Sequence, residues 1–259
     1  MLVEHLLAPN PSPMTLSGTN TYLVADQGTG EVAVIDPGPD ISSHVEHVLA
    51  RARALGRLRS VLVTHRHGDH LPAGFAVCAA SGARLLGHAE LPGVQRAVDD
   101  GEVVFAGLRA LATPGHTRES LCFWEPSEGA LFTGDLVAGS GTVMVDDTPG
   151  ALADYIGSLE RLRSLSPRTI YPGHGPRVRD AMAKLDEYLA HRRAREQQVL
   201  DALADSGSAS VDELVARIYP EVSPELAPMA GRNVRACLDK LTSEGRTVAD
   251  GPGRWRLAG

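Results

Sequence analysis

The chain has 259 residues, 43% of them hydrophobic, with 25 Lys and Arg against 32 Asp and Glu for a net charge of −7. That length suits one large domain, or one domain with a small companion, and the composition suits a packed globular core. The acidic balance excludes a simple polybasic nucleic-acid binder, and no apolar run approaches the roughly 18 residues that crossing a bilayer takes.

Residues 191–259 hold ten basic and ten acidic side chains, so the whole acidic excess falls on residues 1–190. The start, Met1-Leu2-Val3-Glu4-His5, shows neither the basic segment nor the apolar segment of a signal peptide. Cys78, Cys122 and Cys237 are odd in number and far apart, which fits a reducing compartment and small buried apolar residues better than a disulfide framework. The expectation is a cytoplasmic protein.

Two β-branched runs, Thr21-Tyr22-Leu23-Val24 and Val32-Ala33-Val34-Ile35, flank Gln27-Gly28-Thr29-Gly30 and predict a hairpin. Asp36-Pro37-Gly38 stops the second strand. Residues 41–56 predict an amphipathic helix, with Val45, Val48, Leu49 and Ala52 on one face and Gly56 past its end. Val61-Leu62-Val63 predicts a buried strand. A helix over 72–81 and strands over 84–86, 103–105, 108–111, 121–124 and 130–132 follow. A helix over 150–165 then precedes a strand over 169–171. This alternation predicts two sheets covered by helices.

A long charged helix is expected over 179–205, followed by the polar break Ser206-Gly207-Ser208-Ala209-Ser210. Next come a helix over 211–219, capped by Ser210 with Glu213 three residues on, a loop over 220–228, a helix over 230–244, and a hairpin from Thr247-Val248-Ala249 and Arg254-Trp255-Arg256-Leu257. Three helices and a hairpin are the outline of a winged helix. The expected division is residues 1–178 and residues 179–259.

The chemistry concentrates in residues 64–70, Thr-His-Arg-His-Gly-Asp-His, directly after a strand. His65, His67, Asp69 and His70 are four potential metal ligands in six positions. A merely solvated loop seldom needs so many groups that titrate near neutrality. His116 in Thr-Pro-Gly-His-Thr, Asp135 in Thr-Gly-Asp and His174 in Pro-Gly-His-Gly each follow a predicted strand beside glycine. Seven such groups exceed one tetrahedral ion and suit two metals sharing a carboxylate, with room for a water between them.

In this order and spacing, these motifs resemble the metallo-β-lactamase superfamily. The resemblance implies an αββα sandwich with His65, His67 and His116 on a first metal, Asp69, His70 and His174 on a second, and Asp135 bridging them. The ions it implies are two Zn²⁺, with iron or manganese suited to the same ligands. A metal-bridging hydroxide would be the nucleophile, and Asp69 would hold it and take its proton. Asp36 reads either as the acid that orients a ligand histidine or as turn chemistry with Pro37 and Gly38. Glu119 departs from the small residue that relatives often carry there, and Ser120 stands where they carry His or Ser.

The segments Pro11-Ser12-Pro13-Met14-Thr15-Leu16-Ser17-Gly18-Thr19-Asn20 and His191-Arg192-Arg193-Ala194-Arg195-Glu196, with the winged-helix tail, look like the lactamase-β-like-2 family. Its animal members imply cleavage of single-stranded RNA. Its fungal relatives and glyoxalase II imply hydrolysis of an acyl thioester. A true β-lactamase is less expected, since the exported zinc lactamases do not bridge their ions with Asp. The expectation is therefore a metal-dependent hydrolase with RNA as first substrate and an acyl thioester as the alternative. A winged-helix binding protein with a vestigial metal site is the alternative of another class.

On the tail, Arg232, Arg235, Lys240, Arg254 and Arg256 are candidate phosphate contacts or, as preferred, a solvated face with acidic partners such as Asp239 and Glu244. Arg192 is read as an ordinary surface partner of Glu196. His44, His47, His88 and His191 are read as surface or packing residues.

Overall fold

The computed structural model describes residues 1–259. The chain begins with β1 (Leu2–Leu7), β2 (Asn20–Asp26), β3 (Glu31–Ile35), α1 (Ser42–Leu55), β4 (Arg57–Leu62), α2 (Ala73–Ser81), β5 (Arg84–Gly87) and β6 (Arg96–Ala97). These six strands form one sheet in the order β1-β2-β3-β4-β5-β6. Next come β7 (Val103–Phe105), β8 (Leu108–Ala112), β9 (Leu121–Glu125), β10 (Ala130–Gly134), α3 (Ala151–Ser164) and β11 (Thr169–Pro172). They form a second sheet in the order β11-β10-β9-β8-β7. The tail is α4 (Ala181–Ser206), β12 (Ala209–Ser210), α5 (Val211–Ile218), α6 (Ala227–Ser243), β13 (Thr247–Ala249) and β14 (Arg254–Leu257). Its three strands form a small sheet, β12-β14-β13.

Alternation along the strands builds the layers. Tyr22, Val24, Ala33, Ile35 and Leu62 turn inward against Phe105, Leu108, Phe123 and Phe132 of the other sheet. Leu23, Val32, Val34 and Val61 turn outward under Val45, Val48 and Ala52 of α1 and Val77 of α2. On the far side Leu111, Cys122, Trp124, Leu131 and Ile170 are covered by Tyr155 and Leu159 of α3 and Leu185 and Leu189 of α4. The result is the αββα sandwich. Each fully buried Leu or Phe contributes about 1.5–3 kcal/mol of transfer free energy.

The third core does not stop at the sandwich. It continues through Val199 and Leu203 of α4 into Leu214 of α5 and Val234, Leu238 and Leu241 of α6. Sandwich and winged helix therefore share one apolar interior across residue 178.

Several elements differ from expectation. β1 gives no sequence signal because only Leu6 is buried along it, so its residues do not alternate. α6 starts three residues early: Pro228 sits in its first turn, where a missing N–H costs nothing. At α5 the expected capping box of Ser210 and Glu213 is present. The reading of Arg192 as a surface partner of Glu196 is corrected. Both are buried, and Glu196 pairs with Lys240 at 3.0 Å instead. Helix α4 is covered on that face by α6, which an i,i+4 spacing cannot reveal. The three cysteines are buried and unpaired.

Candidate metal centre

Asp36 follows β3, the His65–His70 run follows β4, His116 follows β8, Asp135 follows β10 and His174 follows β11. All five strands point their C-terminal ends at one edge of the sandwich, so residues up to 138 positions apart meet there.

Two groups of facing atoms result. In the first, His65 Nε2 lies 2.9 Å from His67 Nδ1, which lies 3.1 Å from His116 Nε2. In the second, His70 Nε2 lies 3.3 Å from His174 Nε2, which lies 3.1 Å from Asp69 Oδ2. Asp135 reaches both. Its Oδ2 is 3.7 Å from His116 Nε2 and 3.3 Å from His174 Nε2, and its Oδ1 is 3.4 Å from His70 Nε2. Ligand atoms of His65, His67, His116 and Asp135, and separately of Asp69, His70 and His174, all lie within 4.8 Å of one another.

The outer nitrogens fix the tautomers. His116 Nδ1 donates to Met144 O at 2.8 Å and His174 Nδ1 to Gly18 O at 3.3 Å. His70 Nδ1 donates to Asp36 Oδ2 at 2.8 Å. Thr64 Oγ1 donates to the same Asp36 oxygen at 2.7 Å, which leaves its own oxygen to accept from His65 Nδ1 at 2.9 Å. Each of these four imidazoles thus turns Nε2 inward, the nitrogen left free to ligate a metal once the ring is neutral. Asp36 does this from a left-handed backbone, φ +48°, with its other oxygen taking Thr64 N at 2.8 Å. Such strain in a non-glycine residue persists where the surroundings enforce it.

The donor set fits divalent ions. Five imidazoles converge with two carboxylates, and buried Asp135 Oδ1 has no hydrogen-bond partner, an arrangement that is costly unless a cation completes it. Glycine is required in the floor: a Cβ on Gly173 would stand 2.5 Å from Asp135 Oδ1 and 2.7 Å from His70 Cε1.

Protonation follows the same geometry. Burial, helped by the neighbouring imidazoles, holds His65 and His67 below the ordinary histidine range. Burial alone would also depress His70, but the Asp135 and Asp36 carboxylates overcome it and hold that imidazole well above the range. For His174 burial is likewise overcome, by hydrogen bonds to Asp135 and Asp69, and the ring is pushed up to about 9. Burial would raise both Asp69 and Asp135, yet His70 and His174 hold the two carboxyls well below the usual carboxylate range.

A cavity of about 420 Å³ opens over this centre. Met14, Met144 and Met229, three of the chain's five methionines, line it. They come from three distant segments, so no local pattern marks them. Met229 and Arg232 belong to α6, so the winged helix forms one wall. Arg66 forms another part, and here the departure at Glu119 matters. Glu119 is fully buried and accepts Arg66 N at 3.2 Å and Arg66 Nη1 at 3.0 Å, which pins the guanidinium at the cavity. Ser120 stays local, its Oγ 2.8 Å from Thr117 Oγ1.

Apart from Arg232 in the cavity wall, the remaining candidates lie elsewhere. His44 is buried, 3.1 Å from Thr21 Oγ1, and His88 Nδ1 accepts the amide of Glu90. On the tail Arg232 faces Asp147, Arg254 faces Glu213, Arg256 faces Asp250, and Lys240 faces Glu196 and Glu244.

A two-layered β-sandwich with a His/Asp centre at one edge defines a metallohydrolase class, and comparison with known proteins gives the family. The Metallo-beta-lactamase superfamily model matches residues 14–96 and 88–174, and the Beta-lactamase associated winged helix domain matches residues 210–255. The chain belongs to the metallo-β-lactamase superfamily and has the fold of its hydrolases, with a C-terminal winged helix. It is 34% identical to a Beta-lactamase-like protein 2 homolog of Caenorhabditis elegans, over 94% of this chain and 85% of that protein. It is 35% identical to an Atrochrysone carboxyl ACP thioesterase of Aspergillus fumigatus, over 87% and 76%. A metallo-beta-lactamase family protein of Thermus thermophilus superposes with a TM-score of 0.79 at 25% identity, covering 98% of both chains. No helix is long and apolar enough to cross a membrane.

Proposed function

We propose that the chain is a binuclear metal-dependent thioesterase, with His65, His67 and His116 on one ion, Asp69, His70 and His174 on the other, and Asp135 between them. The observation that carries this reading is the trio Met14, Met144 and Met229 in the wall of an otherwise largely polar cavity over the centre. Flexible, polarisable methionines suit an apolar acyl group of irregular shape. The similarity to a carrier-protein thioesterase supports the same class. Zinc is the expected ion, and iron and manganese suit these ligands as well.

Bound divalent ions would acidify water and polarise the substrate carbonyl oxygen. The protein's own groups do the rest. Asp36 holds His70 directly, and His65 through Thr64, in their ligand tautomers. Asp69, ionised and still 27% exposed, holds the attacking water and takes its proton. The water's oxygen joins the acyl carbon as the carbon–sulfur bond breaks, and the proton passes to the departing thiolate. Arg66 and the methionine wall hold the substrate against the centre.

The second reading is cleavage of single-stranded RNA, the first choice on sequence grounds. Arg66 and Arg232 at the cavity favour it. The pairing of Arg232, Lys240, Arg254 and Arg256 with acids reverses the order, because a phosphate track needs cations left free for it. A vestigial site is disfavoured by the complete ligand set.

The test offers purified protein acyl thioesters and RNA oligomers, each against Asp135→Ala and against chelator. Thioester turnover abolished by both is expected. Thioester turnover equal to that of the variant overturns the proposal, and metal-dependent RNA cleavage lost in Asp135→Ala installs the second reading.

A further inference from the structure

Arg192 is a buried cation that the chemistry above does not use. Its residue is 5% exposed, and burying a guanidinium is costly without compensation. Its Nη2 donates to Val143 O at 2.7 Å, and its Cζ lies 4.9 Å from the ring centroid of Tyr155. Its Nε has no partner. The site therefore does not simply satisfy the charge.

Both contacts lead to His116. Val143 is followed by Met144, the residue whose carbonyl accepts from His116 Nδ1. Tyr155 lies against Gly115, the residue before that histidine. A Cβ on Gly115, at φ +135°, would stand 2.4 Å from Tyr155 Cα, so the chain before His116 lies directly on α3. The Tyr155 hydroxyl donates to Leu136 O at 2.7 Å, the residue after Asp135. One turn earlier on α4, Tyr188 accepts from Ala138 N and donates to Gly141 O, each at 3.0 Å. One turn later, Glu196 is held by Lys240 of α6.

We propose that Arg192 is a positioning residue for the metal group of His65, His67, His116 and Asp135. It fixes the Val143–Met144 segment, and so the carbonyl that sets the His116 ring, while its guanidinium over the ring holds Tyr155 against Gly115 and Leu136, the chain neighbours of His116 and Asp135. The task needs a flat group that stacks and donates at once, which arginine supplies and lysine does not. Through Glu196 and Lys240 the same helix ties the winged helix to the metal centre. This inference rests on the two-metal reading above.

The experiment titrates chelator-stripped protein with Co²⁺, following the visible absorption of the bound ion, and with Zn²⁺ against a chromophoric chelator. Wild type, Arg192→Met, Arg192→Lys and Leu203→Ala are compared, each with thermal unfolding of the metal-free form. Leu203 is buried on α4 away from the centre and serves as a control for general destabilisation. In Arg192→Met the affinity of one of the two ions should fall on the order of 10- to 100-fold, as loss of an outer support does elsewhere, and its cobalt spectrum should change. Arg192→Lys should recover part of that affinity, and Leu203→Ala should lower the melting temperature with both affinities unchanged. Unchanged affinities in Arg192→Met overturn the inference. So does an equal loss of affinity in Leu203→Ala at matched melting temperature. If wild type binds no metal, the two-metal reading fails instead.

Discussion

Asp36 and Thr64 form the hinge of the candidate metal centre. The Thr64 hydroxyl donates to Asp36 Oδ2 at 2.7 Å, and that oxygen also receives His70 Nδ1. Because the threonine proton is committed to Asp36, Thr64 must accept from His65. One carboxylate therefore sets a ligand histidine in each of the two groups.

Asp36→Asn should weaken both ions together, each on the order of 10- to 100-fold, because the amide can no longer accept from every donor around it. The metal-free protein should also lose roughly 1–3 kcal/mol, the cost of leaving buried donors unmatched. Metal titration and urea unfolding check the two numbers. Loss confined to one ion would contradict the shared role.

Metal uptake should release protons. His70 and His174 sit above the ordinary histidine range, yet both must be neutral to ligate. Calorimetric titration in buffers of different ionisation enthalpy should detect release near pH 7, and apparent affinity should rise with pH. The sign for stability follows from His174, raised from 6.5 to about 9. Its contribution to the metal-free fold is complete below pH 6.5 and is lost as pH rises through 9. Urea midpoints of stripped protein should fall between about pH 7 and about pH 10, and a rise there would refute the charge pattern.

Freeing or removing Arg66 should act on substrate binding. Glu119→Gln keeps the buried volume but loosens the guanidinium, and Arg66→Met removes it. A hydrogen bond involving a charged group is worth about 1.5–3 kcal/mol, so KM should rise roughly tenfold or more while metal content stays at the wild-type level. Steady-state kinetics with metal analysis decides this. A fall in metal content would move Arg66 from the cavity wall to the support of His65 and His67.

The sequence carried the layers and the clustering of the His and Asp side chains because both rest on strong local signals. Strand alternation marks the two faces of each sheet, and ligand residues at strand ends beside glycine mark the edge where the sheets converge. What it could not carry was contact between distant segments. Met14, Met144 and Met229 meet only after folding, and Arg192 has the spacing of an exposed helix pair until α6 covers it. Glu119 stood out only as a departure from its relatives, with no hint that its partner was Arg66.

The apolar interior that runs unbroken from Leu111 to Leu241 makes the chain hard to take apart. A truncation after residue 178 would strip the cover from Ile170 and Leu131 along with the tail. Exchanging the winged helix for one from a relative would mean re-fitting one whole side of the enzyme's interior. Evolution of substrate choice through Met229 and Arg232 is accordingly bound to evolution of stability. New cavities over the candidate metal centre would arise from changes that the shared core tolerates.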